Sequence, residues 1–226
     1  GETLPSMTQP DPTPYPLDHL AERGADSDPA LALRDETLTH ADLRTRVGRL
    51  AAWLRTHIGQ EGARVASWAA KGELTCLLPL AAARAGLVHV PVNPMLKRAQ
   101  VAHILADSGA SLLIGTPARV ATLEDGDVPA SCAILEEADA LEAARSCDPL
   151  PASAADPQSI AAILYTSGST GKPKGVVLSH ANMWLGAVSV AHYLKLRIDD
   201  VTLAVLPLAF DYGQNQLLST WYAGGC

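Results

Sequence analysis

An alternation of strand-like and helix-like segments runs from Arg64 to Ile114 and constrains the fold more than any other feature. Short apolar runs at 64–69, 87–92 and 111–114 are separated by helical patterns at 73–85 and 99–107. A strand, a helix and a second strand in this order form a parallel βαβ unit. The sequence therefore predicts an α/β fold with a parallel sheet, whose ligands bind at the carboxyl ends of the strands.

The residues before this alternation have a different character. Five prolines within residues 1–16 oppose regular structure, so we expect a flexible leader there. A short helix is predicted over 17–23 and a small hairpin over 31–39. Thr39 and Asp42 form a capping-box pattern, which predicts a helix that begins after Thr39 and ends at Gly59.

Residues 148–158 are rich in proline and alanine, a composition typical of a linker. We therefore predict a first α/β subdomain over 17–147 and the start of a second over 159–226. In the second, strands are expected at 160–165, 175–178 and 201–206, a helix after Ser179 and another helix over 212–222. The chain stops soon after that helix, where an α/β domain normally continues into a strand, so we expect an incomplete domain.

Composition narrows the function classes. A net charge of -7 argues against nucleic acid and anionic membrane surfaces as the main partners. No apolar run is long enough to span a membrane without interruption, and the first residues lack the pattern of a signal peptide. The four cysteines form no C-x-x-C pair, so the sequence predicts no metal site. We expect a cytoplasmic protein.

The segment Y-T-S-G-S-T-G-K-P-K-G over 165–175 is a candidate phosphate-binding loop. Its glycines allow the backbone to approach a ligand closely, and its N–H groups and hydroxyls can surround phosphate oxygens. Lys172 and Lys174 supply positive charge. It is not a Walker A loop, because a proline follows Lys172 where that pattern needs serine or threonine. A plain surface turn, the alternative, would not need so long a string.

This string resembles the phosphate-binding loop of the adenylate-forming enzymes, which include acyl-CoA synthetases, luciferases and the adenylation domains of peptide synthetases. Ten consecutive positions fit the pattern T-S-G-S-T-G-x-P-K-G. The segments R-A-G-L-V-H-V-P-V-N-P over 84–94 and L-P-L-A-F-D-Y-G over 206–213 are similar to two further segments of the superfamily. A narrower likeness is to the acyl-CoA ligases associated with exosortase and exopolysaccharide systems.

The resemblance implies that a carboxylic or amino acid reacts with ATP to give an acyl-adenylate and pyrophosphate, after which a thiol takes the acyl group. It implies that the reaction uses ATP and Mg²⁺, and that the acceptor thiol belongs either to coenzyme A or to the phosphopantetheine of an acyl-carrier protein. The residues that it assigns to the phosphates are Thr166, Ser167, Gly168, Ser169, Thr170, Gly171 and Lys174. Lys174 matches the invariant lysine of the pattern and is the expected catalytic residue, whereas Lys172 occupies the variable position.

The resemblance also implies that Phe210 and Asp211 bind substrate. Many acyl-CoA synthetases have histidine where Phe210 stands, whereas amino-acid-activating domains have a Phe-Asp pair whose carboxylate binds the α-ammonium group. Asp211 is suited to pairing with an ammonium group and to capping the helix that follows, and these roles are compatible. Phe210 suits a core position, and His180, in a segment similar to S-H-x-N, suits packing or capping.

Several sequence elements that are typical of the superfamily do not occur in these residues. They are the adenine-contacting motif, the Mg²⁺-associated Y-G-x-T-E segment, the ribose-binding Asp and the C-terminal domain with its lysine. The resemblance therefore implies that this chain alone is inactive and that a longer parent is the ligase. A non-catalytic ATP-binding module is an alternative. A P-loop ATPase or kinase is a weaker one, because the Walker A lysine–hydroxyl pair is missing.

Overall fold

The computed structural model describes residues 13–167, 171–194 and 211–226. In chain order its elements are a 3-10 helix (Leu17–Glu22), β1 (Pro29–Ala32), β2 (Thr37–Thr39), α1 (His40–Ile58), β3 (Arg64–Trp68), α2 (Glu73–Arg84), β4 (Val88–Pro91), α3 (Arg98–Ser108), β5 (Ala110–Gly115), α4 (Pro117–Val120), β6 (Ala133–Glu136), α5 (Glu137–Arg145), β7 (Ile160–Ser167), β8 (Pro173–Ser179), α6 (His180–Leu194) and α7 (Asp211–Tyr222). The strand predicted at 201–206 and most of the predicted leader lie outside the described residues.

Among the described residues, six strands form one sheet in the order β6-β5-β3-β4-β7-β8. Every neighbouring pair is parallel except β7 and β8, which form an antiparallel hairpin at one edge. The strands β1 and β2 pair separately. The predicted α/β fold is therefore confirmed, and its sheet is mainly parallel.

Helices cover both faces of this sheet. The crossovers through α2 and α3 lead from β3 to β4 and from β4 to β5, and β4 and β5 lie on opposite sides of β3. Crossovers between parallel strands are almost always right-handed, and this hand places the two helices on opposite faces. Val65 and Leu112 lie in the larger core with α2, whereas Ala66 and Leu113 lie in the smaller core with α3.

The predicted start and end of α1 are confirmed. Thr39 Oγ1 accepts the N–H of Asp42 at 3.1 Å, and Asp42 Oδ2 accepts the N–H of Thr39 at 3.0 Å. These two bonds satisfy N–H groups that a helix start otherwise leaves unpaired. Gly59 ends the helix with φ +68°, a left-handed conformation that favours glycine.

The predicted linker over 148–158 contains neither helix nor strand. It is nevertheless held to the fold, because Ser153 donates its N–H and its hydroxyl to the carboxylate of Asp18, at 2.9 and 2.6 Å. Beyond it, β7 pairs with β4 and so joins the sheet built by the preceding residues. The division of the chain into two subdomains stays a prediction.

A buried histidine lies in the middle of the sheet. His89, on β4, is 2% exposed, and its Nε2 lies 3.0 Å from the hydroxyl oxygen of Ser67 on β3. Its Nδ1 is buried and has no hydrogen-bond partner among the residues that the structure describes. Burial lowers the pKa of His89 from 6.5 to about 3, because the charged imidazolium would lose its hydration. The folded chain therefore holds His89 neutral.

This burial predicts that acid destabilises the fold. Between pH 6.5 and 3 the unfolded chain binds a proton at His89 that the folded chain does not, so the free energy of unfolding falls as pH falls. One such group contributes a slope of about 1.4 kcal/mol per pH unit, or about 2 kcal/mol between pH 6.5 and 5.

Urea unfolding at several pH values, compared between the unchanged protein and His89→Asn, measures this slope. Asn keeps a hydrogen-bonding group for Ser67 but does not titrate, so the variant should show the shallower pH dependence. Burial also lowers the pKa values of His40 and His180, but both proteins retain these groups and their contribution cancels in the difference. Parallel curves for the two proteins would contradict the prediction.

Candidate functional site

The hairpin of β7 and β8 carries the candidate phosphate-binding loop at the edge of the sheet formed by the carboxyl ends of the parallel strands. Since β7 runs parallel to β4, its carboxyl end lies at the same edge as the carboxyl ends of the other parallel strands. β7 ends at Ser167 and β8 begins at Pro173, so the residues between them join the two strands at that edge. Ligands of open α/β sheets bind there, as the sequence predicts.

The predicted loop boundaries are wrong by two residues at each end. Thr166 and Ser167 extend β7, and Pro173 and Lys174 begin β8, so that Thr166 pairs with Lys174 and Ser167 with Pro173. The antiparallel ladder continues the strands into polar residues, which the apolar pattern of the sequence does not reveal. Gly168, Ser169 and Thr170, three of the predicted phosphate-binding residues, lie outside the described residues.

The structure brings Thr166 and Lys174 together on one face of the hairpin, because residues paired directly across two strands share a face. Both are exposed, as are Gly171 and Lys172 in the turn. Gly171 has φ +87°, which favours glycine. A hydroxyl, an ammonium group and a glycine turn thus lie at the carboxyl edge of the sheet, and such groups can bind phosphate oxygens. Lys174 is held within a strand, whereas Lys172 is in a bend.

The other face of the hairpin packs against α3 through two hydrogen bonds. Tyr165 donates its hydroxyl to Asp107 Oδ2 at 2.7 Å, and His103 Nε2 donates to the carbonyl oxygen of Pro173 at 2.8 Å. Burial raises the pKa of Tyr165, and its hydrogen bond to Asp107 raises it further, so the phenol stays a donor.

Sequence reasoning missed His103 and Asp107. Their spacing of four residues on the predicted helix 99–107 was the available signal, because residues four apart share a helix face.

Phe210 and Asp211 are not placed by the structure. Phe210 lies outside the described residues, and Asp211 is described only as the first residue of α7, without its side chain. The helix predicted over 212–222 is confirmed, since α7 spans Asp211–Tyr222. Its second half packs into the larger core through Leu218 and Trp221. The substrate-binding roles of Phe210 and Asp211 stay predictions.

The packing role expected of His180 is confirmed. The residue begins α6 and is buried, and its Nδ1 accepts the N–H of Leu17 at 3.1 Å. Burial lowers the pKa of His180, which keeps Nδ1 free to accept that bond. Ser179 and Asn182 exchange two hydrogen bonds across the first turn of α6, which therefore begins directly after the hairpin strand β8.

Within residues 13–167, 171–194 and 211–226, no group of three or more His, Cys, Asp or Glu side chains could hold a metal ion. The described helices include none with the length and apolar character needed to cross a membrane. A cavity of about 520 Å³ lies between the β1–β2 hairpin, the start of α2 and Leu217. Its lining includes no described residue of the β7–β8 hairpin, so we assign it no part in phosphate binding.

Known proteins are similar to this chain in sequence and in fold. Feruloyl-CoA synthase from an Amycolatopsis species is 38% identical over 172 residues, which are 76% of this chain and 34% of that protein. Surfactin synthase subunit 3 from Bacillus subtilis is 31% identical over 183 residues, 81% of this chain and 14% of that protein. The crystal structure of ATP-bound MatB from Rhodopseudomonas palustris has a TM-score of 0.80 at 26% identity, covering 94% of this chain and 44% of that chain.

The chain thus spans 34% of the feruloyl-CoA synthase and 44% of the MatB chain. A family model described as AMP-binding enzyme matches residues 17–226, nearly the whole sequence. The chain therefore belongs to the AMP-binding enzyme family.

Proposed function

We propose that the protein carrying this chain is an AMP-forming ligase that joins a carboxylic acid to a thiol, as acyl-CoA synthetases do. The observation that carries the proposal is the β7–β8 hairpin, which holds Thr166 and Lys174 on one exposed face at the carboxyl edge of the sheet. Membership in the AMP-binding enzyme family supports the same chemistry. The proposed reaction consumes ATP, and we expect the protein to act in the cytoplasm.

In the first step, a carboxylate oxygen attacks the α-phosphorus of ATP. The bond from that phosphorus to the bridging oxygen breaks, and pyrophosphate leaves with the electron pair. The chain's part is to position the phosphates and to balance their charge, since phosphoryl transfer depends mainly on these two effects. The hydroxyl of Thr166 and the N–H groups of the turn bind the β- and γ-phosphates, and the ammonium group of Lys174 neutralises the departing pyrophosphate.

Mg²⁺ commonly accompanies ATP in such reactions by bridging its phosphates. The described residues bring together no metal-ligating group of three side chains, so we assign no residue of this chain to the ion. We propose that Mg²⁺ arrives bound to ATP.

The acceptor thiol that we propose is coenzyme A, the acceptor named for the feruloyl-CoA synthase relative. A second candidate is the loading of an amino acid onto the phosphopantetheine of a carrier protein. The pair Phe210-Asp211 favours this candidate, and so does the likeness to surfactin synthase.

Acid-dependent exchange of pyrophosphate into ATP by the full-length protein tests the first step. A panel of aromatic acids, fatty acids and amino acids identifies the substrate class, and adding coenzyme A then tests for thioester formation. We expect exchange with at least one class and a coenzyme A thioester of the same acid. Absence of exchange with every class, in protein that binds ATP, would instead support a non-catalytic ATP-binding module.

Replacing Asp211 by Asn separates the two candidate substrate classes. If the carboxylate binds an ammonium group, the variant should lose exchange activity on amino acids by about a hundredfold or more, because the ammonium would lack its charged partner. Activity on acids without an amino group should be kept. If Asp211 only caps α7, Asn serves nearly as well and the order of preference stays the same. The acid panel, run on both proteins, distinguishes these outcomes.

A further inference from the structure

We propose that His103, Asp107 and Tyr165 are positioning residues, through which α3 holds the hairpin that carries the phosphate-binding turn. The inference rests on the proposed function, because it concerns the same turn. None of the three lies on the face of Thr166 and Lys174, so each acts on ATP only through the backbone that it fixes.

The two hydrogen bonds hold one strand of the hairpin each. His103 and Asp107 are four residues apart on α3 and therefore share a helix face. Asp107 accepts the hydroxyl of Tyr165 on β7, and His103 donates to the carbonyl oxygen of Pro173 on β8. Pro173 is the first residue of β8 and is buried, so its bond fixes the strand where the turn ends. One rigid helix thus sets the positions of both strands at the mouth of the hairpin.

Gly175, the last residue of the T-S-G-S-T-G-x-P-K-G string, makes this arrangement possible. It pairs with Tyr165 across the hairpin, and the aromatic ring lies over it. A Cβ atom at Gly175 would lie 3.1 Å from Tyr165 Cζ and 2.9 Å from Ile163 Cγ2, closer than side chains normally approach. Glycine therefore leaves the space through which the Tyr165 ring reaches α3.

Lys174 is the residue that these contacts position. It lies between Pro173, whose carbonyl is bound by His103, and Gly175, which lies under the ring of Tyr165. Thr166, its partner across the hairpin, directly follows Tyr165. Loss of either hydrogen bond would leave the mouth of the hairpin less ordered, and ATP binding would then have to order it. We expect this cost to appear in the use of ATP and not in the use of the acid.

The test uses four single variants and one double variant of the full-length protein. Tyr165→Phe removes only the hydroxyl, and His103→Leu removes the donor to Pro173. His103→Gln keeps an N–H donor at a similar reach and should rescue. Asp107→Ala removes the acceptor of the Tyr165 hydroxyl. In the double variant Asp107→Ala/Tyr165→Phe, the KM for ATP should rise no more than in either single variant, because both changes remove the same hydrogen bond. Tyr15→Phe and His57→Leu make the same chemical changes at exposed positions and serve as controls.

Two measurements judge the variants. In acid-dependent pyrophosphate exchange, Tyr165→Phe and His103→Leu should each raise the KM for ATP about tenfold, the effect of losing one hydrogen bond, with the KM for the acid unchanged. Amide hydrogen exchange should become faster at Thr166 and Lys174, which pair with each other in the strand ladder of the hairpin. Loss of protection at these amides together with the raised KM for ATP, absent from His103→Gln and from the controls, would support the proposal.

Equal changes in the KM values for ATP and acid, accompanied by a lower Tm, would show a merely structural role and overturn it. Unchanged protection at the amides of Thr166 and Lys174 would overturn it as well. Failure of the proposed function is a separate result: the unchanged protein would then show no pyrophosphate exchange, while the amide measurement would still judge whether α3 holds the turn.

Discussion

Lys174→Ala lowers the rate of acid-dependent pyrophosphate exchange by about 10²- to 10³-fold, the scale of losing one preorganised donor at a charged transition state. Lys172→Ala lowers it by about threefold or less, because a charge on a flexible, exposed stem contributes little. The difference follows from position. Lys174 lies in β8, paired with Thr166 and beside the residues that contact α3, whereas Lys172 lies in the bend. We therefore expect the ammonium group of Lys174, and not that of Lys172, to lie where charge develops.

Both lysines are exposed, so neither replacement should change the folded structure. Equal Tm values for the two variants and the unchanged protein provide the control, and the rate of pyrophosphate exchange is the measurement. Equal losses of activity in Lys172→Ala and Lys174→Ala would contradict the catalytic role proposed for Lys174. A larger loss of activity in Lys172→Ala would show that Lys172, and not Lys174, has the catalytic role.

Helices and strands were predicted well from the sequence where residues close together in the chain determine them. The capping residues Thr39 and Asp42 and the αL glycine Gly59 act within one helical turn, and the start and end of α1 follow from them. The strand–helix alternation likewise predicted β3, β4 and β5 because buried strands must be apolar. Pairing with another strand is a different matter. Thr166 and Lys174 belong to strands only because each faces the other across the hairpin.

Contacts between residues far apart in the sequence could not be predicted from local patterns either. The bond of His103 to Pro173 joins residues 70 positions apart, and nothing in either neighbourhood specifies the other. The resemblance assigned the phosphate-binding residues from the string itself, but it did not reveal what holds that string in place. Strand order and helix packing supply this information, because they bring α3 beside β8.

Arg84 is a second case in which a residue of a recognised segment acts through a distant partner. It begins the R-A-G segment at the end of α2 and is 2% exposed. Its Nε lies 3.0 Å from Oδ2 of Asp18, which is fully buried in the 3-10 helix, and its Nη2 lies 2.8 Å from Oε1 of Glu22. Because Asp18 also accepts two hydrogen bonds from Ser153, the pair ties three segments together.

Arg84→Met should lower the free energy of unfolding by about 3–5 kcal/mol, because it leaves the carboxylate of Asp18 buried without its cation. Asp18→Asn in the same chain should restore part of this loss. It removes the unpaired charge while keeping an acceptor for Ser153, so the double variant should be more stable than the sum of the single changes predicts. Arg145→Met, which breaks a pair with Glu142 whose side chains are both more than 70% exposed, is the control and should cost about 0.5 kcal/mol or less. Urea unfolding of the unchanged protein and of the four variants (Arg84→Met, Asp18→Asn, the double variant and Arg145→Met) measures these values. Strict additivity of Arg84→Met and Asp18→Asn would show that the loss comes from packing of the long Arg84 side chain and not from the buried charge.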